Sequence, residues 1–354
     1  MRRALLAALP TILLVPASTT TASAAILSCG DIVTRNTVLD QDVGPCGVGL
    51  TIGADNITLD LNGYEVFGTP AIGDGAGITF LGRTGATVKN GTVREFDVGV
   101  VIEGGSANTV QGINAVNNIS FQTIQARGGD GIAILSSQNN RILRNNTVNN
   151  GPFSGIGIYS DIDSAHPRTT GGASTGNVID GNIVANNIQG RQPNNVVNND
   201  NIGIRLEPGN ARNFILNNDV YGNGLDGITL FTRSVFNVIR GNNVTRNGFY
   251  RVAARRGNGI GLQIGNAAGG ANDNIIENNN STNNADNGIS IRAGSLRNTV
   301  RNNTAVHNAV LPPASANFGP TFDLLDNNVN CDFNQWRDNI YITAFPPDCA
   351  GDRP

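Results

Sequence analysis

Charge is scarce in this chain. Asp, Glu, Lys and Arg make up 14% of 354 residues, aromatics 5%, and lysine occurs once, at Lys89. There are two histidines, no methionine beyond Met1, and four cysteines. With a net charge of −3, the whole chain lacks the basic surface that a nucleic-acid partner requires. Beyond the first 24 residues, no apolar run approaches the ~18 residues needed to cross a bilayer. The start itself reads as a secretory signal peptide, residues 1–24. Arg2 and Arg3 precede the apolar run from Ala4 to Val15, and Ala22-Ser23-Ala24 offers a cleavage site. An exported chain meets oxidising conditions, so Cys29 is expected to pair with Cys46, and Cys331 with Cys349.

What the chain does have is 52 Asn and 45 Gly, residues that favour tight corners over ordinary strands and helices. They recur in register. Gly203-Ile204, Gly227-Ile228, Gly259-Ile260 and Gly288-Ile289 start phrases spaced 24, 32 and 29 residues apart. A second phrase follows each start: Asn213-Phe214-Ile215, Asn237-Val238-Ile239, Asn274-Ile275-Ile276 and Asn298-Thr299-Val300. Asn218, Asn242, Asn279 and Asn303 then fall at one shared corner, where a left-handed backbone conformation is expected. Similar Gly-Ile or Gly-Val starts reach back to Gly77. Three apolar pulses per repeat predict an all-β, single-stranded right-handed parallel β-helix of about ten coils. The expected layout is a signal peptide over 1–24, an N-terminal cap over 25–48, the β-helix over 49–310 and a C-terminal cap over 311–354. Each cap is pinned by a disulfide, and Trp336 is expected to pack on the last coil.

These phrases resemble the secreted right-handed parallel β-helix proteins of the pectin-lyase-like superfamily, which include NosD-type periplasmic proteins. The resemblance spans roughly Leu50 to Asn308 and implies the fold. It leaves activity open among polysaccharide lyases, uronan epimerases, glycoside hydrolases, tailspikes and adhesins. NosD-type proteins are linked with copper-site assembly, but two His and one Met offer a soft metal few ligands.

Functional residues are sought where the repeat leaves freedom. With Ile of each Gly-Ile phrase inward, one outward column reads Gly157, Arg205, Thr229, Gly261 and Ser290. The next reads Tyr159, Glu207, Phe231, Gln263 and Arg292. Insertions within 160–176, 188–201, 117–130 and 247–258 flank this sheet and predict a groove across it. From Ser120 to Val310 there are 16 Arg against 11 Asp plus Glu, a bias of +5 that suits an acidic polysaccharide. For β-elimination of the kind such lyases perform, the catalytic candidates are Tyr159, Arg205, Glu207 and His166. Arg251, Arg255, Arg256 and Arg292, with Phe231 and Gln263, are the substrate-binding candidates, and Asp161 and Asp163 are candidate Ca²⁺ ligands. A glycoside hydrolase would need paired carboxylates, which Glu207 with Asp161, Asp163 or Asp226 can supply. A non-catalytic extracellular binding scaffold is the third reading, in which Arg205 and Glu207 form a surface ion pair on a solvated sheet. Asp130 and Asp226 each precede a glycine and read as turn formers. Tyr159-Ser160-Asp161 is similar to the Tyr/Asp/His sites of uronan epimerases, but their compact Asp-Pro-His order is absent. A capped β-helix can stand alone, and the sequence carries no signal for its oligomeric state.

Overall fold

The computed structural model describes residues 23–69, 75–120, 128–160, 172–189, 200–249, 257–263, 269–311, 320–331 and 333–351. Among them the chain forms short parallel strands and no α-helix. Each coil contributes three strands. The Gly-Ile strands, such as Ile228–Leu230, stack into a 12-stranded parallel sheet. A second set, such as Phe214–Leu216, and a third, such as Asp219–Tyr221, stack beside it. Two long strands, Thr87–Arg94 and Thr109–Val116, run round the corner between these sets and join them into one 21-stranded sheet. Twelve rungs at about 4.8 Å give a rod roughly 55 Å long.

Alternation within three-residue strands puts one side chain of each into the interior. Ile204, Ile228, Ile260 and Ile289 are fully buried and stack on one another, as do Ile215, Ile239, Ile276 and Val300. The glycine before each Ile allows close approach between coils. A Cβ at Gly203 would lie 2.4 Å from the Gly227 carbonyl oxygen.

The corners differ from expectation in an informative way. Asn218, Asn242, Asn279 and Asn303 are not the left-handed residues. The left-handed residue is the one before each: Asn217 at φ 51°, Gly241 at 68°, Asn278 at 56° and Asn302 at 55°. That reversal swings the following Asn inward, where its amide bonds along the rod. Asn242 Oδ1 accepts from the backbone N–H and the Nδ2 of Asn218, both at 2.9 Å. Asn242 Nδ2 donates to the Ile215 carbonyl at 2.9 Å and to Asn279 Oδ1 at 3.0 Å. All three corners carry such a ladder. One runs from Asn108 to Asn334, one from Asn145 to Asn339, and one from Asn118 to Asn308.

Both ends are wound into the rod rather than laid over it. Ile32–Val33, Thr37–Leu39 and Val43–Cys46 pair in parallel with strands of the next coil, so the segment expected to be a cap itself winds as a coil. The first described strand, Ser23–Ala25, overlaps the expected cleavage site and pairs with Thr37–Leu39. At the other end, Gln335–Arg337 continues the second sheet, and Trp336 plugs the core with its Nε1 donating to Asp326 at 2.9 Å. The two disulfides, Cys29–Cys46 and Cys331–Cys349, staple these terminal coils as expected.

Removing one ladder rung strands a buried N–H and a buried carbonyl, which are costly to leave unpaired. Asn242→Ala is expected to lower unfolding free energy by about 3 kcal/mol. Asn243→Ala, one residue on but exposed, is expected to cost less than about 0.5 kcal/mol. Urea melts of the two variants measure the contrast.

Candidate functional site

The outer face of the Gly-Ile sheet carries one group of titratable residues; another, Glu277 with Arg240 and Arg301, lies on the second set of strands. Gly157, Arg205, Thr229, Gly261 and Ser290 occupy one column by strand register. Tyr159, Glu207, Phe231, Gln263 and Arg292 form the parallel column. The amides of Glu207, Phe231, Gln263 and Arg292 donate to the carbonyls of Ile158, Leu206, Leu230 and Leu262 in turn. Before Tyr159 the face is mostly apolar, with Val98, Val101, Ala133 and Leu135 packed beside it, and Glu103 in the Tyr159 column.

Tyr159 is fully buried although it points away from the coil interior. Its ring folds back over Gly157, where a Cβ would lie 2.4 Å from the phenol oxygen. The hydroxyl donates to Asp130 Oδ2 at 2.7 Å, and Ser154 holds the other carboxylate oxygen through its backbone N–H at 2.9 Å. Burial and the Asp130 charge push the Tyr159 hydroxyl well above its ordinary pKa, so it remains a protonated phenol.

Arg205 and Glu207 do form an ion pair, but it is buried rather than solvated: they are 7% and 4% exposed. Asp200 takes a second side of the guanidinium. Phe153 and Phe231 cover its two neighbouring flanks, with ring centroids 5.1 and 4.8 Å away. Burial opposes the charge, but Glu207 and Asp200 outweigh it and hold the Arg205 pKa well above the ordinary value. Asp200 and Phe153, which complete this cluster, were not singled out from the sequence. Neither lies at a repeat position, and the partners of a charge across coils leave no local signal.

Asp226 is not merely a turn former. It is 1% exposed. Thr229 Oγ1 and Gln263 Nε2 donate to its Oδ2 at 2.8 and 2.7 Å, and the Asn258 backbone N–H donates to Oδ1 at 2.7 Å. Gly261 makes room for it, since a Cβ there would stand 2.7 Å from Oδ2. Burial, reinforced by the nearby Asp286 charge, raises its pKa to about 6 despite these donors. Asp130 has the same place before the glycine and is likewise a buried hub, holding Ser154 and Tyr159. An acidic residue before the repeating glycine, where Asn258 and Asn287 stand in later coils, was the available sequence signal.

The face therefore brings together Tyr159, Arg205, Glu207, Phe231 and Gln263, with Arg292 one coil further on. His166, Asp161, Asp163, Arg251, Arg255 and Arg256 lie outside the described residues. Among the described residues no group of three or more His, Cys, Asp or Glu is arranged to hold a metal ion. No described helix is long and apolar enough to cross a membrane.

The right handed beta helix region family matches residues 76–305 and 193–341, well over half of the chain, and the chain belongs to that family. A comparison with curated proteins finds no match. Among solved structures, the chain is similar to the Dettilon tailspike protein gp208, with a TM-score of 0.53 and 20% identity over 87% of this chain and 54% of the tailspike. It is similar to an alginate lyase from Paenibacillus sp. str. FPU-7, with a TM-score of 0.51 and 14% identity over 89% of this chain and 91% of the lyase. The catalytic domain of a GH87 α-1,3-glucanase gives a TM-score of 0.57 and 14% identity, over 91% and 61% of the two chains. At these identities the likeness is one of fold, and the chain spans about half the length of the tailspike.

The Asp226 environment has a pH signature. Its folded pKa of about 6 lies above the ordinary value of 3.8, so between those values the folded state holds a proton that the unfolded chain has lost. Its contribution to stability is expected to fall as pH rises from about 4 to about 6, by up to about 3 kcal/mol, and then level off. Unfolding measured across this range should show a decline in wild type that is reduced in Asp226→Asn. Parallel profiles would place the folded pKa of Asp226 near its ordinary value.

Proposed function

We propose that this protein is an exported polysaccharide-processing protein that cleaves a glycosidic bond on the outer face of the Gly-Ile sheet. The supporting observation is concentration. Asp130, Asp200, Glu207, Asp226, Tyr159 and Arg205 are all buried on or beside the outer face of one sheet, held by hydrogen bonds and ion pairs. Two disulfides fit an oxidising compartment outside the cytoplasm.

Within that reading, paired carboxylates fit better than β-elimination. A lyase needs a base that is deprotonated near neutral pH, and Tyr159 is a hydrogen-bonded phenol with a raised pKa. Arg205, the expected enolate stabiliser, already faces two carboxylates of its own chain. Asp226 has the character of a general acid: a buried carboxyl protonated up to a pH of about 6. Glu207, paired with Arg205, is the second carboxylate and is assigned the role of base. Thr229, which bonds Asp226, and Glu207 are one coil and two residues apart, on the order of 8 Å at Cα. Hydrolysis of this kind needs roughly 6.5–9.5 Å between the two carboxyls, which leaves room for a water. In this step Glu207 takes a proton from water, and the water oxygen bonds the anomeric carbon. The carbon–oxygen bond to the leaving sugar breaks as Asp226 protonates that oxygen. The half-buried Phe231 and Gln263 are placed to meet the sugar. The binding-scaffold reading is favoured by one observation, that Tyr159, Arg205 and Glu207 satisfy one another or their neighbours inside the chain.

The test is a panel of acidic and neutral polysaccharides, read both for new reducing ends and for ultraviolet-absorbing unsaturated ends. Reducing ends without unsaturation are expected, with a rate that falls above a pH of about 6 and drops at least ~100-fold in Asp226→Asn and Glu207→Gln. Unsaturated product that survives Asp226→Asn would overturn hydrolysis in favour of elimination. Binding without any product would favour the scaffold.

A further inference from the structure

A second site lies at the corner where the coils turn from the third sheet towards the Gly-Ile sheet. Asn186, Gly222 and Arg246 are equivalent residues of three successive coils, following Ala185, Tyr221 and Thr245 in register. All three are left-handed, at φ 52°, 66° and 53°. This conformation turns their side chains away from the core. Gly222, in the middle, has none, and a Cβ there would lie 2.3 Å from Asn186 Oδ1. The Asn186 amide leans over Gly222, and a notch remains between it and Arg246, with Tyr221 and Phe249 also lining it. The resulting groove has a volume of about 450 Å³, within the range of small-ligand sites.

Its lining is of a recognisable chemical kind. Tyr221 and Phe249 offer flat apolar rings, and Phe249 is 41% exposed. Such faces suit the C–H face of a pyranose ring. Neither the Arg246 guanidinium nor the Tyr221 hydroxyl has a hydrogen-bond or ion-pair partner among the described residues. This sets Arg246 apart from Arg205, Arg240, Arg297 and Arg301, each of which pairs with a carboxylate. Asp219, two residues before Tyr221, is occupied by Asn243 at 2.8 Å.

We infer that the notch formed by Asn186, Tyr221, Gly222, Arg246 and Phe249 binds a uronate residue of a polysaccharide. The rings stack on the sugar, and Arg246 pairs with its carboxylate. Gly222 precedes Asp226 by four residues in the same coil, so a chain anchored here extends towards the Gly-Ile face. The notch thus acts as a distal subsite, and this placement rests on the reading of that face as the site of cleavage. The carboxylate selectivity does not rest on it.

The experiment measures equilibrium binding of a polyuronate and of a neutral glucan of matched length. The proteins are wild type, Tyr221→Ala, Arg246→Gln and the surface control Arg297→Gln, each with a melting curve to show that the fold is intact. Wild type and Arg297→Gln are expected to bind polyuronate alike and to prefer it to glucan. Tyr221→Ala and Arg246→Gln are expected to weaken polyuronate binding by about tenfold or more with unchanged melting. Equal binding of polyuronate by wild type and both notch variants would overturn the inference, as would no preference for polyuronate in wild type. Cleavage of a neutral polysaccharide in that case would leave the proposed hydrolysis standing and remove only the notch.

Discussion

The structure depends on hydrogen bonding of side-chain amides inside the corners. A coil built from three-residue strands has few apolar side chains per turn and many backbone groups near its bends. Buried polar groups of that kind are costly unless paired. The repeated solution is a left-handed residue followed by an inward Asn, whose amide both accepts and donates along the rod. Three such ladders tie successive coils together independently of what the outer faces carry. The apolar stacks between them add burial without specifying register as sharply, because Ile, Val and Leu replace one another along each stack.

That division of labour frees the outer faces. The Gly-Ile sheet holds its register through backbone pairing and inward Ile, so its outward positions tolerate Arg, Glu, Tyr or Gly in turn. The charges on it are organised by one another. Tyr159 needs Gly157 beneath it and Asp130 beside it; Arg205 needs Asp200 and Glu207; Asp226 needs Gly261 and Gln263. Burial makes each of these dependencies strong and moves the proton affinities of Tyr159 and Asp226 upward. The corner groove lies beside Gly222, between Asn186 and Arg246, with Tyr221 and Phe249 as its rings.

Much of the fold was legible in the sequence because its determinants repeat. The Gly-Ile starts, the inward aliphatics and the cysteine pairing are all periodic or terminal, and the structure has them where the repeat puts them. Twelve rungs rather than about ten arise because the terminal segments lack Gly-Ile phrases but still pair as coils. The Asn at the corner was read as the bend itself. Its neighbour at φ > 0 varies among Asn, Gly, Arg, Ala and others, so the sequence hides the true bend and displays its consequence. The candidate face was only partly legible. Outward columns placed Tyr159, Arg205, Glu207, Phe231 and Gln263 together, but Asp130 and Asp226 looked like turn residues beside glycine. Their partners, Ser154, Thr229, Gln263 and Asn258, come from the same or adjacent coils or from further along the chain, and only the winding brings them into contact.

The central claim is that chemistry belongs to the outer face of the Gly-Ile sheet and that the rest of the rod is scaffold. The most direct measurement is a crystal structure of Asp226→Asn soaked with long acidic and neutral oligosaccharides. The account predicts a sugar chain crossing the coils of Arg205, Thr229 and Gly261, with a glycosidic oxygen beside residue 226. A sugar chain seated on the second or third sheet, with nothing on the Gly-Ile face, would contradict it.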